Sequence, residues 1–215
     1  MSFLESLKKY AWQVVGVLCL AGAIWLTVLV RQAHDGPLPM DTAVYGWIAD
    51  HLIMPGVTPI ILIITQAASA VVLIALCVIA LIFLKNKKVA AATCINLACE
   101  AVLNTIIKEW MRRPRPDVTR LAVEKGFSFP SGHAMASTAF YGFLIYLIWR
   151  YFRNSAGRNW GIALLTVLIP VIMFTRIYVG VHWFSDVLAG CLYSVAWLTL
   201  VYIPIMRRTL LKQRQ

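Results

Sequence analysis

Acidic residues are scarce in this chain of 215 residues: nine Asp and Glu stand against 20 Lys and Arg, and charged side chains make up only 13%. Soluble domains carry nearer a quarter. No CxxC pair occurs, and the five cysteines (Cys19, Cys77, Cys94, Cys99 and Cys191) are odd in number and lie inside apolar runs. That argues against a disulfide framework and a zinc module, and the thiols read as small buried hydrophobes. No carboxylate cluster suited to Mg²⁺ or Ca²⁺ is present, so no metal or other cofactor is expected. Internal repeats and low-complexity tracts are also missing, which leaves one domain, residues 1–215. A disordered tail and an ordinary cytosolic enzyme are excluded by the same balance.

What is present is apolar surface: 60% of residues are hydrophobic and mean hydropathy is +0.76. A membrane-spanning helix needs about 20 mostly apolar residues. Six segments qualify, at Ala11–Val30, Ile60–Leu84, Val89–Ile107, Ser131–Trp149, Trp160–Val179 and Val187–Met206. The prediction is an all-α integral membrane bundle of six transmembrane helices. The first segment follows Lys8 and Lys9, but no small-residue cleavage site closes it before Arg31, so it reads as a retained span.

The net charge of +11 does not point to nucleic acid, because the basic residues sit at the ends of apolar runs. With both termini in the cytoplasm, Lys8, Lys9, Lys85, Lys87, Lys88, Arg150, Arg153, Arg158, Arg207, Arg208, Lys212 and Arg214 fall on that side, 12 of the 20. The outer side keeps the other 8, six of them in the loop Lys108–Pro130. In the first outer loop, after the turn-rich His34–Pro39, the residues Val44, Trp47, Ile48, His51 and Leu52 recur at helical spacing. A short amphipathic helix is expected there, serving either packing or lipid entry.

Three polar patches lie at the outer ends of spans, where charge is costly unless used. The first runs from Lys108 to Arg115-Pro116, its prolines forcing the chain out of helix. The second, Phe129-Pro130-Ser131-Gly132-His133, opens the fourth span; a helix start offers free N–H groups to an anion. The third runs from Thr175-Arg176 to His182 and Asp186. Four residues apart, those two would share a helix face, with the carboxylate orienting one ring nitrogen and freeing the other to attack. Together these parts suit metal-free phosphoryl transfer through a phosphohistidine.

The three patches, in this order and spacing, resemble the signature of the type 2 phosphatidic acid phosphatases (PAP2), K-x6-RP, PSGH and SR-x5-H-x3-D. Thr175 is the single departure, standing where the pattern has Ser, and the resemblance covers roughly residues 60–200. It implies that Lys108, Arg115, Arg176, the Ser131 hydroxyl and the Gly132 N–H hold the phosphate. It further implies that His182 is the nucleophile oriented by Asp186, and that His133 is the acid for the leaving group. A phosphorylated membrane lipid is the implied partner, at the outer face of a cytoplasmic membrane. Undecaprenyl diphosphate leads, because loop Lys108–Pro130 has six basic against three acidic residues, so Arg112, Arg113, Arg120 and Lys125 exceed the signature's needs. Phosphatidylglycerophosphate, phosphatidic acid and a lipid phosphotransferase are the alternatives. Transporters and scramblases are disfavoured because no mid-membrane break is evident, and the related haloperoxidases because they are soluble. Outside the signature, Asn96, Glu100, Asn104 and Lys108 form a ribbon along the third span, with Glu100 about 12 Å below Lys108. The ribbon reads as interhelical hydrogen bonding by a protonated Glu100, and the alternative has Asn104 supporting Lys108 from beneath.

Overall fold

The computed structural model describes residues 3–209, and the side chains of residues 10–209. The expectations for Lys8, Lys9, Lys212 and Arg214 lie outside those described side chains. Helices follow in the order α1 (Phe3–Gln32), α2 (Pro39–His51), α3 (Thr58–Thr65), α4 (Ala70–Phe83), α5 (Lys87–Met111), α6 (Gly132–Tyr151), α7 (Ala156–Tyr178), α8 (Phe184–Ala196) and α9 (Ile203–Arg208). A 3₁₀ turn, Gln66–Ala68, joins α3 to α4, and a π-helical segment, Trp197–Tyr202, joins α8 to α9. No strand occurs among the described residues.

Local chemistry sets these boundaries. Asn86 caps α5 by accepting from the N–H groups of Lys88 and Val89, and Ser155 caps α7 through Arg158 N–H. Ser69 does the same for α4 through Val72 N–H. That cap lies inside an apolar run that reads as one span, Ile60–Leu84, and the structure breaks it there: the two helical pieces meet at 47°. The expectation of an unbroken second span is therefore corrected. A hydroxyl that caps the next turn competes with helix continuation, and hydropathy does not register it.

Among the described residues, four helices are long and apolar enough to cross a membrane, or five if the bent pair is counted as one span. Helix α6 is less apolar, carrying His133, Ser137, Thr138 and Arg150, and it is the centre of the bundle. It packs against α5, α7 and α8 and buries a face from Ala134 to Leu147. The outer surface is greasy, with Ile63, Val71, Phe83 and Trp160 each about three-quarters exposed. The interior holds Asp41, Asn96, Glu100, Arg113 and Arg176, all essentially buried. Polar inside and apolar outside is what a lipid solvent selects. All five cysteines are free thiols.

Candidate active site

At one end of the bundle α5 stops, the loop 112–131 folds over the end, and α6 begins. Arg112 ends α5 in the left-handed conformation, φ 52°. Lys108, one turn earlier, donates from Nζ to the Phe127 carbonyl at 2.6 Å. Arg115 organises the loop: its guanidinium donates to the carbonyls of Lys125 (2.8 Å), Gly126 (3.1 Å) and Val181 (3.0 Å). The same group lies 3.3 Å from Nε2 of His182.

His182 sits in the turn between α7 and α8, not on a helix. Gly180 makes that turn possible at φ +71°, where a Cβ would come within 2.6 Å of the Thr119 carbonyl oxygen. The expected arrangement of His182 and Asp186 on one helix face is thus corrected. Asp186 alone is helical, in the first turn of α8, where its Oδ2 accepts from Trp183 N–H at 2.8 Å. The two nevertheless meet: His182 Nδ1 is 3.6 Å from Asp186 Oδ2 and has no other partner among the described residues. That distance exceeds a hydrogen bond. With Nδ1 facing the carboxylate and Nε2 facing a cation, the lone pair belongs to Nε2. Burial pulls the imidazole pKa down to about 3, against the partial opposition of Asp186. The ring is therefore neutral, as a nucleophile must be.

Asp186 is gripped from elsewhere. Arg113 Nη1 donates to its Oδ1 at 2.6 Å, and the Ser128 hydroxyl donates to Oδ2. Arg113 Nη2 donates to Asp41 Oδ2 at 3.0 Å, and Asp41 also accepts from the backbone and hydroxyl of Ser185, both at 2.7 Å. Arg113, Asp41 and Asp186 are fully buried. The excess cations of this loop suit a substrate headgroup or anionic lipid, and for Arg113 the structure corrects both: its charge is spent on two carboxylates. Its scarce acidic partner was the available signal, since Asp41 follows Pro39 in the first turn of α2.

A cavity of about 290 Å³ is lined by Lys108, Arg115, Gly132, His133 and His182, with Glu124 and Lys125 from the loop. Ser131 is fully buried at the start of α6, its hydroxyl without a partner among the described residues, and its N–H donates to the Asp186 carbonyl at 3.0 Å. Arg176 lies behind the wall instead of on it. Its Nη1 donates to Thr65 Oγ1 at 2.8 Å, and its Nη2 pairs with the Glu124 carboxylate. Glu124, which sequence reasoning did not single out, also lies 4.0 Å from Arg115. Burial pushes the Glu124 carboxyl up, but Arg176 and Arg115 outweigh it and hold the group below the usual glutamate range. An internal anion thus sits among the cations expected to hold phosphate.

Asn104 does not bond Lys108, so the alternative of support from beneath is corrected. Its Nδ2 donates to Met135 Sδ at 3.0 Å and lies 3.4 Å from the Pro130 carbonyl. It braces the Pro130–Gly132 turn; a Cβ on Gly132 would meet Asn104 Oδ1 at 3.3 Å. Lower in the ribbon, Asn96 bonds Ala139 and Trp197, and Glu100 pairs with Ser194. Beside this ribbon runs an apolar groove of about 610 Å³ between α4, α5 and α6, which meets the polar cavity at Thr105, Gly132 and His133.

The PAP2 superfamily model matches residues 88–209. Phosphatidylglycerophosphatase B of Bacillus subtilis (strain 168) is 35% identical over 92 residues, 42% of this chain and 45% of that protein. The matched stretch therefore spans less than half of that relative. An undecaprenyl-diphosphatase of Sulfolobus acidocaldarius is 29% identical over 131 residues, 58% of this chain and 59% of that protein. Among solved structures, the crystal structure of a transmembrane PAP2 type phosphatidylglycerolphosphate phosphatase from Bacillus subtilis superposes with a TM-score of 0.77 at 23% identity, covering 90% of this chain and 96% of the other.

Proposed function

The chain belongs to the PAP2 superfamily, and from that premise we propose that this multi-pass membrane protein hydrolyses a phosphate ester of a membrane lipid through a phosphohistidine. The observation that carries the reading is the setting of His182, with Nδ1 turned to Asp186, Nε2 beside Arg115, and a cationic cavity that opens into an apolar groove.

In this reading the lipid phosphate enters between Lys108 and Arg115 and accepts from the N–H groups at the start of α6, whose dipole favours it. Arg176 joins when the phosphate displaces Glu124 from it. His182 Nε2 forms the N–P bond as the P–O bond to the lipid breaks, and His133 delivers a proton to the departing oxygen. Water then attacks phosphorus, His133 takes the proton back, and phosphate leaves with the N–P bond broken. Charge on the equatorial oxygens is met by fixed cations and N–H groups, so the reaction calls for no metal.

Within the lipid class, the withdrawal of Arg113 from the substrate weakens the case for a diphosphate, and a phosphomonoester headgroup fits the remaining cations. Phosphatidylglycerophosphate is the first substrate to test. Undecaprenyl diphosphate is the second reading, favoured by Lys125 on the cavity wall. Phosphate release from a detergent-solubilised panel of both lipids and phosphatidic acid, ranked by kcat/KM, decides between them. Activity that persists in excess EDTA and is blocked by vanadate supports the mechanism; loss on chelation restored by Mg²⁺ overturns it.

Six spans complete the reading: α1, the bent pair α3–α4, α5, α6, α7 and α8–α9, with the site on the outer face and the termini inside. A cysteine at Val118 should then react with an impermeant thiol reagent in intact cells. Labelling only after lysis means that the orientation is inverted.

A further inference from the structure

The end of the bundle opposite the catalytic cavity carries a second concave site. Helix α6 starts at the cavity, and Arg150 lies 17 residues beyond His133, about 26 Å along the axis at 1.5 Å per residue. That is close to the full hydrocarbon thickness of a bilayer. There a cavity of about 430 Å³ is walled by Trp12 of α1, Tyr146, Trp149 and Arg150 of α6, and Arg207 and Arg208 of α9. None of these three arginines forms an ion pair among the described residues, and no acidic side chain among them lines the cavity. Among the described residues, two hydrogen-bond donors there, the Tyr146 hydroxyl and Arg150 Nε, are buried without a partner. Both need an acceptor.

The polar cavity continues into an apolar one. A pocket of about 300 Å³, lined by Gly142, Ile145, Ile162, Ile169 and Leu198, shares Trp12, Tyr146, Trp149, Thr199 and Ile203 with it. Trp12 and Trp149 are more than half exposed at the junction, the position that tryptophan takes at a membrane–water interface. One wall is the π-helical segment Trp197–Tyr202, a geometry that recurs at functional sites.

We propose that this is a binding site for an anionic phospholipid of the leaflet opposite the active site. Its phosphodiester lies among Arg150, Arg207 and Arg208, accepting from Tyr146 and Arg150 Nε, and one acyl chain fills the apolar pocket. Arginines that merely set topology require neither a cavity nor buried donors left without acceptors. A soluble phosphate would leave the apolar half unused. Basic pockets between membrane helices are a recurrent form of lipid headgroup recognition.

The test uses the full chain in detergent, titrated with dioleoylphosphatidylglycerol, dioleoylphosphatidylcholine or glycerol phosphate. Bound lipid is counted by native mass spectrometry and Tm is followed. Phosphatidylglycerol is expected to be retained and to raise Tm, whereas the other two are not. Arg150→Gln with Arg207→Gln should weaken retention by about tenfold or more, the loss expected for removing charge-assisted hydrogen bonds. Its size-exclusion profile and helical circular dichroism should stay unchanged. A control with Lys108→Gln and Arg115→Gln in the catalytic cavity should keep the equivalent of bound lipid that Arg150→Gln with Arg207→Gln removes. Equal retention of phosphatidylcholine, an equal Tm rise with glycerol phosphate, undiminished retention in the Arg150/Arg207 variant, or loss of that equivalent in the catalytic-cavity control would each overturn the proposal. If the Arg150/Arg207 variant is misfolded, Ile145→Trp, which fills the apolar pocket, takes its place: it should weaken retention, and unchanged retention overturns the proposal.

Discussion

Arg113 reaches Asp186 at 2.6 Å while its other nitrogen holds Asp41 at 3.0 Å, all three side chains fully buried. The carboxylate that faces the candidate nucleophile is thereby fixed by a residue outside the recognised signature. Arg113→Ala would strand two buried carboxylates, a change that costs roughly 3–5 kcal/mol, and is expected to lower Tm sharply. Arg113→Lys keeps the charge but cannot bridge both partners. It should fold and lose kcat by about tenfold, with KM little changed. Equal kcat in wild type and Arg113→Lys would show that the grip on Asp186 does not matter to turnover.

His182→Asn should abolish turnover with the fold intact, since in the proposed mechanism Nε2 of His182 takes the phosphoryl group. His133→Ala should slow the reaction by about 10²–10⁴-fold, the usual contribution of general acid catalysis. The deficit should be largest for poor leaving groups. Steady-state rates with leaving groups of graded acidity test both, and a uniform deficit would remove His133 from the proton transfer.

Glu124 occupies Arg176 and neighbours Arg115 in the resting site. Glu124→Gln removes the competing charge, so inorganic phosphate should inhibit more tightly, by about tenfold for a contact worth some 1.4 kcal/mol. Weaker inhibition would mean that Glu124 serves to order the cations and does not compete with the substrate.

Acid should destabilise the protein partly through His182. Its folded pKa, about 3, lies below the value of about 6.5 for a free histidine. Between those values the unfolded chain binds the extra proton, so stability rises with pH across that window and falls as pH drops below about 6.5. From pH 7 to 5 the loss from this group is at most about 2 kcal/mol, at 1.36 kcal/mol per pH unit. Thermal melts of wild type and His182→Asn at both pH values should show the larger fall in wild type. Parallel falls would contradict the burial of a neutral imidazole.

Asn104→Leu removes the amide that braces the Pro130–Gly132 turn. It should lower kcat more than Tm, because in the proposed mechanism the turn presents N–H groups of α6 to the phosphate. Equal losses of activity and stability would assign Asn104 to packing alone.

Much of this architecture was legible from the sequence, for physical reasons. Long apolar runs mark most of the helices because lipid tolerates little else, and the signature residues are close in sequence within each of three patches. What escaped were relations across distance and inside turns. Arg113 reads as one cation among six in a basic loop, because its partner Asp41 lies 72 residues away in sequence. His182 and Asp186 have helical spacing, but Gly180 takes a positive φ and delays the start of α8 to Phe184. Ser69 broke an apparent span because a cap depends on one hydroxyl and not on average hydropathy. Glu124 carries no pattern at all; only the folded loop places it against Arg176.

The polar cavity and the apolar groove share Thr105, Gly132 and His133, so a lipid can reach the candidate nucleophile while its chains stay among the helices. Encounter then becomes a two-dimensional process. Its rate tracks the mole fraction of substrate in the bilayer, and adding inert lipid slows turnover even when the bulk substrate concentration is unchanged. A short-chain, water-soluble analogue with the same headgroup forgoes that lateral supply and must find the cavity from solution.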